Sequence, residues 1–242
     1  MSLAPFRIAF AAAMLPLLGA CSTVGWHVKS EREKIDFSPD AQLKICAYRE
    51  ADVSSADVDE LIARWDRELS LFKIKVVKVR DRVVERPGPI GAAMLNFLYE
   101  QDLEAPCDRL VYFQGRTAGD MAFEAFSLTI FALTGLKFEI HGAVETLTHT
   151  RGYIKARYNQ LGQMLFTSPG GILIHEGYHL LGCGHAWRLT QCYQRIKEAK
   201  NLLRESPSDF FPAITLNGRV YRTRAQVNAV FNHYRAVRRR AR

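Results

Sequence analysis

The chain has 242 residues, 48% hydrophobic and 24% charged, with 33 lysines and arginines against 25 acidic residues for a net charge of +8. It carries no internal repeat and no low-complexity block, which excludes a repeat array. Its early apolar run, Ile8 to Leu18, is too short for a membrane span of about 20 residues. Much of the basic excess sits in the terminal RAVRRRAR (Arg235, Arg238, Arg239, Arg240 and Arg242), too local a feature to argue for a nucleic-acid partner.

In chain order, residues 1–20 hold one charge, Arg7, then the apolar run, and reach Leu18-Gly19-Ala20-Cys21. A positive start, a short apolar stretch and small residues before a cut describe an export signal. The ending resembles the bacterial lipobox. That resemblance implies lipidation of Cys21, membrane contact through the lipid, and residence in the bacterial cell envelope, periplasmic or facing the outer membrane. Residues 21–40 show no sustained period and end in Ser38-Pro39-Asp40, which predicts a tether before a domain over 41–242. Cys46, Cys107, Cys183 and Cys192 remain, an even count for an oxidising compartment. Of three connectivities, Cys183–Cys192 and Cys46–Cys107 are favoured. The first closes a short loop, and the second ties an early strand to a later one.

LKICAYRE alternates as a half-buried strand does, and Ser55 to Phe72 reads as a helix with Val58, Leu61, Ile62, Trp65 and Leu69 at helical spacing. IKVVKVR completes a β-α-β start. Ile90 to Tyr99 is a short helix, RLVYFQG a strand, and Met121 to Leu133 is ambiguous between helix and strand. KFEIHGAVETLTH and GYIKARYN are β-rich. Thr190 to Arg204 and Thr223 to Val237 are amphipathic helices flanking a short hairpin that turns at Asn217-Gly218. His141 and His149 are expected on surface or cross-strand positions, His27 in the tether, and His233 on a helix.

The informative stretch is HEGYHLLGCGH, His175 to His185. Ser168-Pro169 starts a helix, as N-cap and first helical residue. His175 and His179 then lie one turn apart on one face and can hold one ion. Glu176 is rotated by about 100°, off the ligand face but near enough to act on water at the metal. On a continued helix His185 would point about 240° away from His179. The chain must therefore turn, and Gly182 can take the left-handed conformation that ends a helix. Three imidazoles and an open fourth position suit a hydrolytic zinc ion, with Glu176 as general base.

At His175, Glu176, His179, Gly182 and His185 the chain resembles the metzincin metallopeptidases, whose zinc helix reads HExxHxxGxxH. The resemblance implies a zinc-dependent endopeptidase holding one catalytic Zn2+ and acting on peptide or protein substrates. The implied fold is α+β and zincin-like. It has a twisted, mostly parallel sheet, one antiparallel edge strand within Glu139 to Thr150, an active-site helix and a small, mainly helical C-terminal subdomain. The subdomains would divide at 41–182 and 183–242. The family's methionine turn has no counterpart, since the methionines are at 1, 14, 94, 121 and 164. Phe210, Phe211, Ile214 or Leu216 could floor the site instead, and Tyr221 is the one tyrosine in the downstream segment where some metzincins place theirs. Two rivals stand beside this reading. In one, a gluzincin-type site takes Glu198 or Glu205 as third ligand, against which His185 argues. In the other, a non-catalytic zinc-stabilised envelope scaffold would have no use for Glu176.

Overall fold

Strands buried on both faces need a helical layer on each side. The computed structural model describes residues 24–134, 140–157, 168–205, 208–216 and 218–240. The leader, Cys21, Met164 and Asn217 lie outside them. In order come α1 (Lys29–Arg32), β1 (Ala41–Arg49), α2 (Ser55–Ser70), β2 (Ile74–Val83), α3 (Gly91–Glu100), β3 (Arg109–Gln114) and α4 (Ala118–Thr134). Next follow β4 (Gly142–Val144), β5 (Arg151–Lys155), α5 (Pro169–Leu180), α6 (Thr190–Glu205), β6 (Ile214–Leu216), β7 (Arg219–Tyr221) and α7 (Arg224–Arg240).

Five strands pair in the order β2-β1-β3-β5-β4, parallel throughout except for β4, which runs antiparallel to β5 at the edge. Alternation sorts their side chains. Leu43, Ile45, Ala47, Val111, Phe113 and Ile154 enter a core with α2, α5 and α6. Cys46, Tyr48, Leu110, Tyr112 and Tyr153 enter a second core with α3 and α7. Cys46–Cys107 ties β1 to the segment before β3, and Cys183–Cys192 joins the loop after α5 to α6.

The first helical layer forms where the spacing places it. Ser54 caps α2, accepting from the Asp57 amide at 3.1 Å while the Asp57 carboxylate accepts from the Ser54 amide at 2.9 Å. Val58, Leu61, Ile62, Trp65 and Leu69 form its buried stripe. The ambiguous segment is helical as α4, started by a reciprocal pair between Thr117 and Asp120. It buries Glu124 and Ser127 while Met121, Phe123, Phe126 and Leu133 are exposed, the reverse of an ordinary amphipathic pattern.

Two expectations change. The tether predicted over 21–40 is, from Val24 onward, part of the folded body. Val24 and Phe37 are buried, and residues 24–26 pair with residues 186–189. Its polar composition hid anchors whose partners lie more than a hundred residues away. The residues after 182, expected as one small subdomain, divide between the cores. Tyr193, Ile196 and Phe211 join the first, and Phe210, Val227 and Phe231 the second.

Candidate metal centre

α5 begins as its sequence dictates. The Ser168 hydroxyl accepts from the Gly171 amide at 3.1 Å, and Pro169 occupies the first turn. Each further residue of the motif then meets a different neighbour. His175 and His179 share one face, their ring centroids 5.1 Å apart. Tyr178 is buried in the first core. Glu176, 8% exposed, lies beside β4, where a Cβ on Gly142 would come within 2.8 Å of its Cγ and 2.9 Å of the Ile172 Cγ2. Only a glycine lets the edge strand pass this close.

The helix ends in a Schellman turn. Gly182 has φ of +81°, its amide reaches the His179 carbonyl at 2.8 Å, and the Cys183 amide reaches the Tyr178 carbonyl at 3.0 Å. The reversal brings His185 back, with its ring centroid 4.9 Å from that of His175 and 4.7 Å from that of His179. One ligand nitrogen from each of the three lies within 4.8 Å of the others. His185 is the exposed member, and the other two are half-buried.

Hydrogen bonds aim this arrangement. The Nδ1 of His179 lies 2.7 Å from the Cys183 carbonyl. A carbonyl only accepts, so that nitrogen carries the proton and Nε2 keeps its lone pair for the cluster. Burial lowers the His179 pKa, which favours the neutral imidazole a metal requires. Burial pushes the Glu176 carboxyl up to about 7, into the range useful to a general base. Tyr153, raised to about 12 by burial and by the Glu176 charge, stands on the sheet behind it.

Several residues that build the site carry no local signature. Arg109, fully buried at the start of β3, donates to the Leu180 carbonyl at 2.8 Å and to the Pro212 carbonyl at 3.1 Å. It thereby joins the end of α5 to the segment 211–212, and burial lowers it to about 10. His27, Glu68, Tyr178 and Tyr193 form a second network. Glu68 accepts from the Tyr178 hydroxyl and lies 2.7 Å from the His27 Nε2, and the His27 Nδ1 lies 3.1 Å from the Tyr193 hydroxyl. Glu68, Tyr178 and Tyr193, polar groups on buried faces of helices, were the available hints, and spacing alone cannot name their partners.

The rival ligands do not join. Among the described residues the metal-capable group is His175, His179 and His185. Glu198 lines a cavity of about 540 Å³ with Arg109, His149 and Arg195 beside the end of α5, and Glu205 is exposed at the end of α6. Cys183 is in its disulfide. Of the residues considered for a floor, Phe211 lies in the first core with Tyr178, Leu180 and Leu181, Ile214 lines the cavity beside Leu181 and Gly182, and Phe210 is in the second core. Leu216 pairs by backbone with Arg219, and Tyr221 packs on the second core. His141, expected at a surface or cross-strand position, is buried with its carbonyl accepting from the Lys155 amide of β5 at 2.7 Å, and His233 is exposed.

No family model matches the chain, and no curated protein does. Among solved structures it is similar to archaemetzincin from Methanopyrus kandleri. The TM-score is 0.39 with 15% identity, over 68% of this chain and 97% of that one.

Proposed function

We propose that this protein is a zinc-dependent endopeptidase of metzincin-like fold. The observation that carries the reading is the return of His185 across the Gly182 turn to the two helical histidines. The donor set fits zinc. Each of the three imidazoles offers one nitrogen, all within 4.8 Å of one another, and such a nitrogen set suits zinc. A bound zinc ion supplies Lewis acidity that makes water a nucleophile near neutral pH.

The residues do the rest. His175, His179 and His185 would hold the ion, with His185 on the exposed side. Glu176, buried beside them, takes a proton from the attacking water and delivers it to the departing amine. The outer edge of β4, unpaired among the described residues and close to Glu176, would pair with an extended stretch of substrate backbone. The mature chain is anchored in the bacterial cell envelope by lipid on Cys21.

The test is direct. The purified chain should contain one zinc ion and cleave an unfolded protein substrate in a chelator-sensitive way. Glu176→Gln should keep the zinc and lose about 10²- to 10⁴-fold in kcat. Full activity in that variant would overturn the assignment.

A further inference from the structure

The segment that leads from the anchor ends beside the metal cluster. The Ala186 amide donates to the Val24 carbonyl at 2.9 Å, the Trp26 amide to the Trp187 carbonyl at 3.0 Å, and the Leu189 amide to the Trp26 carbonyl at 3.0 Å. Trp26 and Arg188 are partners in a parallel bridge one turn of chain beyond His185. Three large side chains on these two segments face solvent: Trp26 is 56% exposed, Trp187 79%, and the Arg188 side chain 62%. Two exposed tryptophans on neighbouring segments are costly in water. They suit a membrane interface, where an indole sits with its apolar ring among acyl chains and its N–H among headgroups.

Chain length decides which surface covers them. Val24 is buried, and Cys21 is three residues before it. Fully extended, three residues span at most about 11 Å. A lipid on Cys21 therefore cannot leave the 24–26 strand far from the bilayer, and that strand is hydrogen-bonded to the loop that carries His185. A lipid anchor also gains from a second membrane signal, and the tryptophans supply one where the lipid has to enter.

We propose that the rim formed by Trp26, Trp187 and Arg188 docks on the phospholipid surface, so that the histidine cluster opens at the bilayer rather than away from it. This rests on the lipoprotein reading of Cys21 and concerns the same site as the peptidase reading. The chain has three tryptophans, and Trp65 is fully buried and out of reach of lipid bromine, so the quenched part of the emission isolates the rim. The full chain, made in a bacterial host that processes lipoproteins, is reconstituted into phosphatidylethanolamine–phosphatidylglycerol vesicles whose acyl chains are brominated near the headgroup. Emission should be quenched in the wild type. Trp26→Phe and Trp187→Phe should each keep the quenching of the remaining rim tryptophan, and the double variant should lose it. Vesicle-bound chain with unquenched emission overturns the proposal. So does chain that does not float with vesicles and whose Cys21 peptide carries no acyl group by mass spectrometry. Zinc content, read on the same preparation, separates the two claims. Quenching without zinc sinks the peptidase reading and upholds docking, whereas zinc without quenching sinks docking and leaves the peptidase reading standing on its own Glu176→Gln assay.

Discussion

Gly182 and His185 carry the greatest consequence per atom. An alanine at 182 must adopt φ near +81°, a conformation that costs an L-residue about 1–2 kcal/mol. Gly182→Ala should therefore lower stability by about that amount and weaken zinc binding, because the strain is relieved by moving the third ligand. Isothermal titration with zinc, alongside chemical denaturation, checks both effects, and unchanged affinity would refute the role given to the turn. His185→Ala should bind zinc substoichiometrically after dialysis while its fold is retained, since the side chain is exposed and outside either core. His175, Glu176 and His179 were legible because helical periodicity sets their relation, and His185 because Gly182 lets the chain turn back toward them. The carbonyl that orients His179 was not, because it depends on the path taken after the helix ends.

Among the elements, α5 is held by its neighbours at each of its faces. Glu68 on α2 is the clearest handle. Burial alone would raise its carboxyl, but hydrogen bonds from His27 and Tyr178 hold it below the ordinary value. The folded state then binds its proton less readily than the unfolded chain. The stabilisation is present above the unfolded value of 4.5 and is lost as pH falls through the lower folded one. Glu68→Gln should cost about 1.5–3 kcal/mol at neutral pH. It should also show a flatter loss of stability than the wild type in urea titrations carried down from neutral through that range. The disulfide between Cys183 and Cys192 braces the other end of α5. Replacing both cysteines with serine should cost about 2–3 kcal/mol through the short loop alone, and the loosened Cys183 carbonyl should reduce zinc affinity as well. The start and buried stripe of α2 followed from its apolar period, while its end falls at Ser70, two residues before the expected Phe72. α4 resisted that reading because its exposed face is apolar, so no periodicity marks an inside.

For the whole molecule, the N-terminal segment is part of the site's frame. A Cβ on Gly25 would come within 2.4 Å of the Ala186 carbonyl oxygen, and backbone on both sides leaves little room to give. Gly25→Ala should lower the thermal midpoint and weaken zinc binding together, although residue 25 is some 160 positions from His185 in the chain. A variant that loses neither would show the strand to be an accessory. The sheet explains why such distant residues meet. Its parallel strands all point the same way, so the crossovers place α2, α5 and α6 on one face and α3 on the other, and residues 24–28 close over the first layer.

The identities and spacing of residues 175–185, the capping of α5, the apolar period of α2 and the alternation of β1 set where the histidines and Glu176 fall along the chain and which faces these elements bury, because these depend on contacts within a few turns of chain. The path of residues 24–28, the burial of Arg109 against the end of α5, and the closeness of Gly142 to Glu176 were settled only once the chain had closed on itself. Each is a contact between segments far apart in sequence, whose formation depends on the loops and strands between them rather than on any local preference.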